Sequence, residues 1–185
     1  LTLSTWGSER RQERRYRQTS RPGLNLVLQL NFSAEHDRLY RTLGCPHSRF
    51  NYHAHPVSQQ RNTLAWARID LDLDSNSALI EEVQSDWIRN VARLEERVLR
   101  KLAAGQPESA PANVYGLPCS LATARTYAAL VRERYAPIWS EAMLWASLQF
   151  IRDELGLEAL YYHSEQGGQL FKGINGTPPP RSLYT

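Results

Sequence analysis

"ALIEEVQSDW", residues 78–87, decides how this chain is read. It opens with the apolar run of a buried strand and closes on a tryptophan. Between them stand Glu81, Glu82, Gln84, Ser85 and Asp86. Side chains along a strand alternate between its two faces. Glu82, Gln84 and Asp86 are therefore expected on one face, and Leu79, Glu81, Val83, Ser85 and Trp87 on the other. Members of one face lie ~7 Å apart, so the first three form a polar row. Buried carboxylates are costly unless paired, and the C-terminal end of an apolar strand is a favoured place for a site. The plainer reading is a sheet surface open to water, with Asp86 or Ser85 capping the next helix.

Working outward, "TLAWARIDLDLD" (63–74) is a second strand, with Ile69 and Leu71 on one face and Asp70 and Asp72 on the other. "DSNS" is a turn signal, so 63–86 reads as an antiparallel hairpin. Arg68 lies on the partner strand, placed to pair with a carboxylate or to hold an anionic substrate group. "LNLVLQLNF" (24–32) alternates as a half-buried strand, and 34–43 reads as a short helix. A helix opens at Trp87, carries a stripe of Ile88, Val91, Val98 and Leu102, and ends at Gly105. A second helix covers 120–135. "IWSEAMLWASLQFIRDELG" (138–156) is a third, with an expected buried stripe of Leu144, Leu148, Ile151 and Leu155 and a cap at Gly156. "LEALYYHS" (157–164) returns as a strand, followed by a short helix around "QGGQLFKGI".

A hairpin followed by a helical crossover into a further strand is an α+β, or mixed α/β, layer. The expected organisation is a basic arm over 1–22 and a single domain over 23–185, with a helical insertion at about 88–135. The chain has 185 residues, 42% hydrophobic and 22% charged, which fits a soluble globular protein. No apolar run approaches the ~20 residues of a membrane helix, so no membrane is expected as a partner. Two cysteines make no disulfide framework, and reduced thiols fit a cytoplasmic setting. Net charge is only +3, but Arg10, Arg11, Arg14, Arg15, Arg17 and Arg21 crowd the N-terminal arm. Such an arm suits nucleic acid or another polyanion, or is simply solvated.

Further side chains carry chemistry. Cys45, His47, His53 and His55 are zinc-ligand types, but "CPHSRFNYHAH" matches no standard structural spacing, so no metal site is expected. His55 alone, beside the hairpin, is the better candidate. Cys119 precedes a helix start, where the dipole lowers a thiol pKa; with His163 it resembles in outline a Cys–His nucleophile pair. His163 ends a strand after a crossover, which makes it a candidate in its own right.

"IEEVQSDW", preceded by His55, Asn62, Leu64 and Arg68 in "HPVSQQRNTLAWAR", resembles the signature of a domain found in polyvalent proteins of phages and mobile elements. The resemblance spans roughly 53–170 and implies an enzyme-like setting of that kind more than a particular reaction. The order of elements is also similar to GNAT-type N-acyltransferases. That resemblance implies a central, largely antiparallel sheet flanked by helices, with acyl-CoA as a possible cofactor. "IRNVARLEER" lacks the glycine-bearing phosphate loop of that family, so the layout alone suggests the cofactor.

The leading expectation is a transferase that modifies an amine of a protein or small molecule. Glu82 or Asp86 would act as general base and His163 as a further catalytic residue. Gln84, Ser85, Trp87 and His55 would orient the substrate, and Arg68 would hold an anionic group. An ADP-ribosyltransferase-like effector using Glu82 beside NAD is a second expectation. A non-catalytic nucleic-acid or protein-binding module using the arm is a third.

Overall fold

The structure is a computed structural model that describes residues 1–8, 23–45, 50–52, 55, 57 and 61–171, without the side chains of 169–171. The basic run over 9–22, together with His47 and His53, lies outside the described residues.

One five-stranded sheet organises the chain, in the order β1-β2-β3-β4-β5. The strands are β1 (Thr2–Ser8), β2 (Gly23–Asn31), β3 (Thr63–Asp72), β4 (Ser77–Gln84) and β5 (Ala159–Tyr162). β1 to β4 pair antiparallel in succession, and β5 joins β4 in parallel. The fold is therefore mixed α+β with a mostly antiparallel sheet. Residues 2–8, placed in a basic arm by the sequence, form an edge strand: Thr2 and Asn31 join their side chains across the β1–β2 pair, as do Ser4 and Gln29.

The helices are α1 (Ala34–Arg41), α2 (Asp86–Ala103), α3 (Leu121–Arg134), α4 (Trp139–Gln149) and α5 (Glu165–Phe171). Ser33, Ser85 and Ser120 cap the first three, each hydroxyl accepting from a backbone N–H three residues on. α2 buries Val91, Leu94 and Val98. α4 passes into a π-helical turn over Phe150–Glu154, and Gly156, at φ +67°, ends it. Its buried side chains are Met143, Ser147 and Ile151, while Leu144 and Trp145 stand in solvent. The stripe is thus rotated from the one the spacing suggests. α4 is apolar on every side, so periodicity alone does not single out its inner face.

Leu28, Ala67, Ile69, Ile80 and Val83 line one face of the sheet and join the helices in a single core. At its centre Trp87 meets Phe32, Tyr40 and Phe50 at ring separations of 5.0–5.2 Å. An antiparallel sheet commonly leaves its second face to water. Here that face is also buried, and it is largely polar: Asn25, Gln29, Arg68, Glu82 and Gln84 share it with Val27 and Trp66, and all are nearly inaccessible.

Candidate functional site

The polar face is produced by one irregularity in the hairpin. Arg68 pairs with Glu82 and Ile69 with Ile80, so Glu81 is an extra residue in β4. Strict alternation would turn Glu82 to the side of Ile80, into the apolar core. The bulge resets the pattern, so that Ile80 and Val83 both belong to the core while Glu82 and Gln84 share the face of Arg68.

From this step a continuous network runs along the end of β4. The Arg68 guanidinium donates Nη2–H to Glu82 Oε2 at 2.8 Å. The Gln84 amide donates to the other Glu82 oxygen. Gln84 Oε1 accepts from Arg89 Nη2 at 3.1 Å, and Arg89 Nη1 lies 3.7 Å from Asp86 Oδ1. Asp86 Oδ2 completes the chain by accepting from His55 Nδ1 at 2.8 Å. Arg68, Glu82 and Asp86 side chains are each almost wholly buried. Charges withdrawn from water in this way survive only when paired and hydrogen-bonded.

His55 has the geometry of a proton acceptor. With the Asp86 oxygen accepting from Nδ1, the neutral ring presents its Nε2 lone pair, and no described residue bonds to it. The ring is partly exposed and packs against Trp66 and Tyr52, at 5.2 and 4.9 Å. Glu82 has both oxygens engaged by Arg68 and Gln84, and is less suited to that task than the sequence suggests.

His163 does not face this network through Glu82 or Asp86. Its Nε2 stands 3.0 Å from Glu81 Oε2, the residue of the bulge. The parallel pairing of β4 with β5 ends at Ile80 and Tyr162, while β4 continues to Gln84. All four residues of β5 are paired, so the pairing stops where β5 ends, beside this second carboxylate–histidine pair; an open groove lined by Val83, Ser140, Glu141, Leu144 and Tyr162 lies on the Val83 face of the sheet, opposite Arg68 and Glu82.

Two expected substrate-binding residues have structural roles. Trp87 is fully buried, and its indole N–H donates to the Tyr127 hydroxyl at 2.8 Å, so it is a core residue. Ser85 caps α2 with its lone pair and donates its hydroxyl proton to the Leu64 carbonyl. Cys119 has no sign of an activated thiol, since burial pushes its pKa up. No cluster of metal-ligating side chains occurs among the described residues, nor is any helix among them long and apolar enough to cross a membrane.

Sequence reasoning missed Glu81, Arg89 and Trp66. Arg89 was open to recognition, because it lies one helical turn beyond Asp86 on a capped helix. The part played by Glu81 depends on the bulge, which leaves no mark in the pattern of residue types. The stretches 55–68 and 82–86 are also tied together: His55 to Asp86, the Leu64 carbonyl to Ser85, and Arg68 to Glu82. Comparison with protein-family models, curated proteins and solved structures gives no match.

Proposed function

We propose that the chain is a transferase-type enzyme on a GNAT-like scaffold. In this reading His55, oriented by Asp86, takes the proton from an amine acceptor, and Arg68, Gln84 and Arg89 position the substrates. The observation that carries it is the His55–Asp86 pair, at 2.8 Å, with a buried carboxylate on one ring nitrogen and no described partner on the other. That arrangement is what general base catalysis requires: a fixed tautomer and an available lone pair. A phosphate cradle at the start of α2 is not part of it, since Ser85 and Asp86 occupy that helix end. The NAD-dependent alternative is weakened by Glu82, whose oxygens are held by Arg68 and Gln84.

The test is acyl transfer from acetyl-CoA to a panel of amines. His55→Gln and Asp86→Asn should each lower turnover by a factor on the order of 10²–10⁴, the usual share of a general base. Full activity in a folded His55→Gln protein would remove His55 from the mechanism.

A further inference from the structure

We infer that the indole N–H of Trp66 is the hydrogen-bond donor that this site holds for its substrate, and that the group it receives is an uncharged acyl carbonyl oxygen. The inference rests on the transferase reading and names the substrate group that reading leaves open. Trp66 is 3% exposed, and its Nε1 is enclosed without a hydrogen-bond partner. Buried donors are nearly always met, so each exception calls for a reason. This fold does supply an acceptor to an indole that serves packing: Trp87 has the Tyr127 hydroxyl. At Trp66 a phenylalanine would supply a buried aromatic ring with no unmet donor.

The position gives the reason. Trp66 lies between Gln29 and Gln84 across the sheet, on the face of Arg68 and Glu82. Its ring meets the His55 ring at 5.2 Å. The unmet donor therefore stands beside the histidine whose Nε2 is available. The charges of the network offset one another, Arg68 with Glu82 and Arg89 with Asp86. Such surroundings do not offset the desolvation of a group that arrives charged, but they suit a neutral carbonyl whose oxygen gains charge only while a donor is bonded to it. As an amine nitrogen adds to the carbonyl carbon of a thioester, the C=O pair moves to the oxygen, where the Trp66 N–H receives it. His55 Nε2 takes the proton of the amine. Collapse reforms C=O and expels the thiolate, which takes up that proton.

Replacing Trp66 with 3-benzothienylalanine keeps a bicyclic ring of nearly the same size and removes the donor. The variant should melt no lower than the parent chain. Its turnover with acetyl-CoA should fall about a hundredfold or more, with KM for acetyl-CoA little moved. In the parent chain, the indole N–H resonance absent from the variant's NMR spectrum should shift downfield when acetyl-CoA is added. A variant that melts several degrees lower would overturn the inference, because the donor would then have a structural partner. It would also be overturned if acetyl-CoA moves the His55 and Gln84 resonances and leaves that of Trp66 in place. If acetyl-CoA moves none of the three, the acyl-transfer reading itself fails, and the assignment of Trp66 fails with it.

Discussion

Arg68 and Glu82 illustrate how a single pair constrains this molecule. Both side chains are almost wholly buried and meet at 2.8 Å. Removing one partner strands a charge, so Arg68→Met or Glu82→Gln should each cost roughly 3–5 kcal/mol in denaturant unfolding. Replacing both with apolar residues should recover most of that loss. His36 makes a different prediction. It is enclosed between Phe32 and the Tyr127 hydroxyl, which lies 2.9 Å from its Nε2, and burial lowers its pKa to about 4. The unfolded chain binds this proton near pH 6.5, and the folded chain refuses it until about pH 4. Stability should therefore fall as pH drops through that window, by roughly 3 kcal/mol in total from this group, and level off below it. Comparing the pH dependence of unfolding for the parent chain and His36→Leu isolates the contribution: the variant should lack that part of the acid loss.

At the scale of elements, the hairpin and the helix that follows it form one unit. Ser85 links them, capping α2 and bonding back to the Leu64 carbonyl of β3. Ser85→Ala should cost about 1–2 kcal/mol in thermal unfolding, at the upper end for a cap because a buried carbonyl also loses its partner. Gly156 closes the π-helical turn at φ +67°, with open space where a side chain would stand. Gly156→Ala should therefore cost only the conformational price, about 1 kcal/mol. The hairpin, α2 and its cap were legible because alternation, a turn signal and a serine before an amphipathic run are local features. The inner face of α4 was not legible, because its apolar residues surround the helix. The bulge at Glu81 was not legible either, since register depends on what the paired strand buries.

For the whole molecule, the α+β layering could be read from the order of elements, and the pairing of β1 could not. "TLSTWGS" has one large apolar residue at each end of a polar run, and its place in the sheet depends on β2 being present to pair with it. The candidate site was legible as a set of residue types: Arg68, Glu82, Gln84, Asp86 and His55 do come together. Their roles were not legible, because the bulge and the contact of His55 with Asp86 decide which oxygen and which nitrogen remain available. The central claim is that this buried polar face binds an acyl donor. Thermal unfolding of the parent chain, His55→Ala and Gln84→Ala, each with and without acetyl-CoA, tests it most directly. At ~100 times its dissociation constant a ligand adds about 2.7 kcal/mol of stability, a rise of roughly 5–10 °C at most for a chain of this size. The account predicts that rise in the parent chain and its loss in both variants. No rise in the parent chain, or an equal rise in all three, would contradict it.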